Sequence, residues 1–497
     1  MSNGGGIRRS SSSGEPSRFA TAESPVELQS SPALCPAEDV RLADVIPFPP
    51  SGGEPNLLHL RRLNRFLRSR WYPAVFQAAG VLVFALVLFE TLFGPSTVHD
   101  NAGSAIVWIL WWPFLPLTYF VVARFWCTVC PFPVVGDFLQ RFARWRLPMP
   151  AFLKKYGIWI IDAWFLGITW ADHVFGIVES PRGTGYLLLM ILAGVVTMSL
   201  VFERRTFCRS VCFLGGLSGN YSMTSSLALR ANRANCKEKC RDLWCAKGSE
   251  RAPACPMFET PRNMQTNREC NLCANCIKSC PHGSLRLELR KPTQEFWHVT
   301  TPRIEVAFLA MVLVGVVIIQ NLTMLSVWQP LLDWVEGLTG SASFTLNFSL
   351  IFVVAMGVPL AALALAGRLS HDADESTLQN FARFGYAIIP LDLAAHMGHN
   401  LFHLLGEGLS VPRTLAGLFG LTWTRTGDEL LNTPTIQVIQ YLMLAAGAIA
   451  TIYAAYRIAR RGGRQLRLRA LVPHIVLICL LIAVNAYMFS LPMSHRA

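Results

Sequence analysis

Hydrophobic positions in this chain fall into long unbroken runs rather than into the alternating or 3.6-residue stripes of a soluble domain. Nine runs are long enough to cross a bilayer core, which takes about 20 helical residues. They lie near residues 72–94, 104–123, 156–178, 184–202, 304–325, 344–366, 384–406, 435–456 and 471–491. Each is expected to form a membrane-spanning helix, the second one kinked by Pro113 and Pro116. Between residues 203 and 303 the pattern breaks into polar, cysteine-studded sequence. Residues 1–56 are rich in Ser, Gly, Pro and Glu, contain no apolar run and read as a disordered tail. Arg8 and Arg9, followed by Ser10 to Ser13, lack the apolar stretch that a targeting signal needs.

Composition strengthens this reading. Apolar residues make up 52% and charged residues 15% of the 497, too little polar surface to dissolve a globule of this size. The net charge of +13 is explained by its placement. With the N-terminus inside, 40 of the 44 Lys and Arg lie in the tail, the insert and the loops of the inner side. That bias predicts a multi-pass protein of a bacterial inner membrane, with the N-terminus and insert cytoplasmic and the C-terminus periplasmic. The basic excess then calls for the lipid bilayer as partner and for no nucleic acid. The stretch Val134–Arg146 reads as an interfacial amphipathic helix whose arginines meet anionic lipid.

Twelve of the fourteen cysteines lie between Cys127 and Cys280, in short clusters that suit thiolate metal ligands better than disulfides. The strongest motif is Cys270-x2-Cys273-x2-Cys276-x3-Cys280-Pro281, the run that holds a [4Fe–4S] cluster with three cysteines and sends the fourth to another cluster. Zinc sites more often use two separated cysteine pairs. Cys280 then needs three partners, which Cys236-x3-Cys240-x4-Cys245 supplies, and Cys255-Pro256 completes the other set. Two [4Fe–4S] clusters are therefore expected, one on Cys236, Cys240, Cys245 and Cys280, the other on Cys255, Cys270, Cys273 and Cys276. Lys237, Lys239, Arg241, Lys247 and Arg251 surround the first set, either as a solvated surface or as a face for an acidic redox partner.

A second constellation closes two spans: Cys127-x2-Cys130-Pro131 and Cys208-x3-Cys212. These motifs, the stretch Phe213–Gly219 and the ferredoxin run together resemble the NapH/NosR-type membrane polyferredoxins over roughly residues 72–300. In that family Cys-x3-Cys-Pro motifs end two helices and precede a two-cluster ferredoxin segment, and members serve periplasmic reductase systems. The first motif here is one residue shorter, and the second has Phe213 in place of the proline. Cys127, Cys130, Cys208 and Cys212 are thus either a further metal centre, redox-active thiols or inert buried thiols. The fold class expected is an all-α polytopic membrane protein with an α+β ferredoxin-like insert. Its parts are a tail over 1–60, four helices over 61–203, the two-cluster domain over 204–302 and five helices over 303–497.

The seventh run carries Asp392, His396, His399 and His403, with Glu407 after it, all within about 80° of one helix face. Ionisable groups inside a span usually face a bundle interior and act there. The stripe reads as haem b ligation with His173 as the second ligand, as a quinone site, as a transition-metal site, or as hydrogen-bonded packing histidines. No G-x-G-x-x-G after a strand and no Walker A motif is present. The expected function is membrane electron transfer, as a component of a redox system rather than a self-contained enzyme. It would link a cytosolic redox carrier or neighbouring subunit to the quinone pool or a periplasmic redox protein. The alternative is a maturation or regulatory factor for a metalloenzyme that handles metal at the paired membrane cysteines.

Overall fold

The computed structural model describes residues 55–143, 145–370, 375–421, 423–425, 427–460 and 468–492. Most of the expected tail, residues 1–54, lies outside them, as do Arg461, Arg464 and Arg467 of the charge count. In chain order the long helices are α1 (Ala74–Phe93), α2 (Ala102–Val122), α3 (Ala151–Phe175), α4 (Pro181–Val201), α5 (Ile304–Leu322), α6 (Phe344–Ser370), α7 (Thr377–Gly406), α8 (Thr433–Ala459) and α9 (Leu468–Ser490). Seven of them, all but α3 and α7, are long and apolar enough to cross a membrane, and the molecule is a mostly helical membrane protein with only small sheets. The two others are more polar. α3 carries Lys154, Lys155, Asp162 and Asp172, and α7 carries Asp392 and three histidines.

The bundle is organised around α5. Within its most apolar window 72% is buried, against 17–39% for the other six apolar helices. It packs against α3, α6, α7 and α9. In water such an all-round apolar helix would need a large core; here its neighbours are helices whose outer faces meet lipid. Small residues set two of the closest approaches: Gly385 of α7 lies against Ala307 of α5, and Gly447 of α8 against Ala394 of α7. A Cβ at either glycine would push the backbones apart. α2 departs from regular geometry, as its prolines foretell, with a π-helical turn over Ala105–Trp111 and Pro116 inside the helix.

The amphipathic helix expected over 134–146 is shorter than the pattern implied. Only Pro131–Leu139 is helical. Beyond it the chain is tied to the end of α4: Leu147 N–H donates to Val201 O at 2.9 Å and Gln140 Nε2 to Phe202 O at 2.9 Å. Arg146 folds back onto Gln140 O at 2.8 Å. Tertiary hydrogen bonds here override the helical periodicity.

After α4, the short helix Phe213–Ser222 is buried except for half-buried Leu214 and packs against α2, α3, α5 and α7. The chain then forms β1 (Leu227–Ala231), paired antiparallel with β2 (Leu285–Leu289) in the register Leu227↔Leu289 to Ala231↔Leu285. Leu229, Ala231, Leu285 and Leu287 of this ribbon share a core with Leu58, Leu67 and Tyr72 from before α1, and with Cys236, Cys270 and Cys276. One buried carboxylate holds the segment together. Glu295, 1% exposed, pairs with both Arg230 and Arg290, and accepts from Asn267 N–H at 2.9 Å. Asn267 O in turn accepts from Cys270 N–H at 2.8 Å, which places the first cysteine of the ferredoxin run. Glu295→Ala leaves two buried guanidiniums unpaired, so a loss of about 3–5 kcal/mol is expected. Limited proteolysis of the segment between β1 and β2, compared with wild type, measures it.

Candidate functional site

Cysteine loops need sharp backbone turns if several sulfurs are to converge. Leu272 and Ala274, on either side of Cys273, have φ of 56° and 62°, and Leu243, two residues before Cys245, has φ of 54°. Non-glycine residues enter the left-handed region at a cost of order 1–3 kcal/mol each, and such strain gathers at functional sites. Its result is a set of backbone N–H groups aimed at sulfur. Cys270 accepts from Leu272 N–H, Cys273 from Asn275, Cys245 from Ala246, and Cys255 from Met257 and Glu259.

The cysteines separate into sets. Cys236 and Cys245 interact with each other and with Cys240 and Cys280. Cys255, Cys270, Cys273 and Cys276 form a second group, in which Cys276 interacts with the other three. Burial pushes the Cys245 and Cys255 thiols up to about 11 and Cys270 up to about 12, with the facing sulfurs adding to the rise. Four thiolates crowded into a low-dielectric pocket need a compensating cation, which an iron–sulfur cubane supplies. The two sets adjoin, since Cys276 also interacts with Cys245.

Cys127, Cys130, Cys208 and Cys212 meet as a third set. Cys130 interacts with the other three, and all four line one cavity of about 550 Å³. The same N–H···S pattern recurs: Cys130 accepts from Phe132, and Cys212 from Leu214 and Gly215. Ala123 and Arg205, which lead into the two loops, again have positive φ, 48° and 56°. The thirteen described cysteines are all free of disulfides. Among the described residues, no group of three or more His, Cys, Asp or Glu is arranged to hold a single metal ion.

Hydrogen bonds tie the third set to the second. The Thr128 hydroxyl, between Cys127 and Cys130, donates to Asn271 O, between Cys270 and Cys273. Arg124 donates to Arg268 O at 2.6 Å. Asp137 holds Arg204 through two bonds of 2.9 and 3.0 Å and Arg205 through two of 3.3 and 2.9 Å. Arg205 reaches Cys127 O at 3.4 Å, and Arg204 reaches Ala254 O, beside Cys255, at 3.3 Å. These two arginines favour negative charge on both sets, and the Asp137 pair keeps their own burial tolerable. Sequence reading missed this brace because Asp137 lies in the stretch taken for a lipid-facing helix.

The segments that build the third set carry the family resemblance. Residues 104–150 and 184–227 match the model of a 4Fe-4S binding domain. These two segments are similar to a 4Fe-4S binding domain. The matched residues contain Cys127, Cys130, Cys208 and Cys212, the motifs with the imperfect spacing. A stretch of 104 residues is also 30% identical to YccM of Escherichia coli (strain K12), which is named as an electron transport protein. That alignment covers 21% of this chain and 27% of YccM, so the chain matches about a quarter of the relative's length. No solved structure matches.

The histidine stripe of α7 is divided. Asp392 and His396 are fully buried and meet Tyr221 of the short helix after Cys212. The tyrosine hydroxyl donates to Asp392 Oδ2 at 3.0 Å and lies 3.0 Å from His396 Nδ1. His399, His403 and Glu407 instead line a cavity of about 730 Å³ together with His173 of α3. Thus His173 lines the same cavity as His399 and His403 of the stripe, and His396 does not. His173 Nδ1 faces Thr169 O at 2.8 Å and His399 Nδ1 faces Asn321 Oδ1 at 3.2 Å. A carbonyl only accepts, so His173 Nδ1 carries the proton. The 730 Å³ cavity and the thiol cavity share wall residues, Trp111, Phe132 and Phe213 among them. Phe213 occupies the position where the family motif has proline. It is the first residue of its helix, where an amide needs no intrahelical acceptor, so proline and phenylalanine are equally admissible to the backbone.

Proposed function

We propose that this protein is a membrane iron–sulfur electron-transfer protein that relays electrons between a cytosolic carrier and the quinone pool or a periplasmic acceptor. The observation that carries the reading is the meeting of Cys127, Cys130, Cys208 and Cys212 in one pocket, joined through Thr128 and Asn271 to the ferredoxin run. Each of the three thiol sets would hold one [4Fe–4S] cluster, which supplies a one-electron couple. Cys236, Cys240, Cys245 and Cys280 stand farthest along the series, beside Lys237, Lys239 and Lys247, where an acidic carrier can dock. Cys255, Cys270, Cys273 and Cys276 come next, and the membrane set last, behind Trp111, Phe132 and Phe213.

The residues of this chain contribute position and electrostatics. N–H groups directed at sulfur stabilise the more reduced, more negative state and raise the potential of whatever the thiolates hold. Burial acts in the opposite sense, and Arg204 and Arg205 offset it between the second and third sets. In this reading α3 and α7 complete nine spans, and the charge bias places the thiol sets on the cytoplasmic side. YccM, as an electron transport protein, supports the same class of activity.

Redox titration by EPR, with iron, acid-labile sulfide, haem and copper counted on the same purified sample, tests the proposal. About twelve iron atoms per chain in three titrating centres are expected from three cubanes. Tight stoichiometric copper on the membrane set, with no third EPR signal, would instead favour the maturation-factor reading.

A further inference from the structure

The 730 Å³ cavity has the size of a site for a small organic molecule, and its polar atoms specify what kind. Asn400 of α7 is 0% exposed and lines it. Its Nδ2 donates to His396 O at 2.8 Å. Since that oxygen only accepts, the amide orientation is settled, and Oδ1 is the atom left over. Asn400 Oδ1 has no hydrogen-bond partner among the described residues, and neither has Ser104 Oγ, on a residue 2% exposed, or Gln320 Oε1. All three residues line the same cavity. A buried acceptor without a donor costs about 1–3 kcal/mol, and a ligand that supplies the missing O–H recovers it.

The charges of the wall narrow the choice. Asp172, Glu179 and Glu407 line the cavity, and no Lys or Arg does among the described residues. A haem brings two propionates, which these carboxylates repel and no Lys or Arg receives among the described residues. An uncharged ring bearing hydroxyl groups meets no such penalty. Trp108, Trp111 and Trp112 supply flat apolar surface for it.

We infer that this cavity is a quinol site that selects the reduced, hydroxyl-bearing ring, with Asn400 Oδ1 accepting one hydroxyl and Gln320 and Ser104 available to the other. The inference deepens the electron-transfer reading by naming the ligand form, and rests on that reading only for its purpose. Binding itself does not depend on it. Methylating the hydroxyls removes the donors and keeps the ring, so affinity follows the hydroxyls.

The test uses the full-length protein in detergent, held reduced with dithionite so that no electron transfer competes with binding. A short-chain benzoquinol and its dimethyl ether are titrated, with quenching of tryptophan emission as the readout. Wild type is expected to bind the quinol at least about tenfold more tightly than the ether. Asn400→Leu is expected to abolish most of that preference while leaving ether affinity unchanged. Gln320→Leu gives the second reading should the first variant misfold. Equal affinity for quinol and ether, or a preference unchanged in both variants, overturns the inference. One haem b per chain in a pyridine haemochrome spectrum overturns it as well. Iron counts on the same preparation report separately on the electron-transfer reading, which can fail while quinol binding stands.

Discussion

Replacing Cys208 and Cys212 together by serine is expected to lower the iron content by about four atoms per chain and to remove one EPR signal, with the other two retained. The expectation follows from the separation of the sets. Cys208 and Cys212 interact with Cys127 and with each other, and all four membrane cysteines line the same cavity. Serine keeps the size of the side chain and its capacity to accept from Leu214 and Gly215, so the loops have little reason to refold. What disappears is the soft thiolate that iron requires. The functional consequence should be larger than the loss of iron. The second set and the 730 Å³ cavity have no other thiol set between them among the described residues, so quinol added to liposomes should no longer reduce the remaining centres. A wild-type protein with only about eight iron atoms, unchanged in the double variant, would refute the third centre.

Cys280→Ser is expected to abolish the centre at Cys236, Cys240 and Cys245 and to spare the one at Cys270, Cys273 and Cys276. Sequence proximity argues the other way, since Cys280 belongs to the same short run. The interactions between the sulfurs favour the first outcome. Cys280 interacts with Cys236 and Cys245, whereas Cys255 interacts with Cys270, Cys273 and Cys276. Cys255→Ser is the converse experiment. Because the two sets adjoin through Cys245 and Cys276, each variant should also remove the magnetic coupling between neighbouring reduced centres and narrow the surviving EPR signal. Loss of the same signal in both variants would show that the sets are divided differently.

Much of this was legible in the chain. Each of the nine apolar runs coincides with a long helix among the described residues, with ends displaced by a few residues at most sites. The ferredoxin spacing pointed to two insert sets, because a tight turn can only bring cysteines together at particular intervals. The membrane pairs were harder. Their spacings differ from each other and from the family motif, and nothing local says that loops 80 residues apart will meet. Asp137, Asn400 and Gln320 gave no signal at all. A lone polar residue in a helical run reads the same whether it braces an arginine, lines a cavity or faces a neighbouring helix.

The amino-acid sequence by itself determined the solvent of this protein, its helices and its thiol chemistry, because hydrophobic run length and cysteine spacing are local properties. Tertiary structure alone decided how those parts are joined. It brought Cys127 and Cys130 against Cys208 and Cys212, since the hydrogen bonds of Leu147 and Gln140 dock the loop after α2 on the end of α4. It also split the α7 stripe, because the short helix after Cys212 inserts Tyr221 against Asp392 and His396 and leaves His399 and His403 to the cavity. Contacts between segments far apart in the chain depend on which faces pack, and packing is settled only when every helix competes for the same interior.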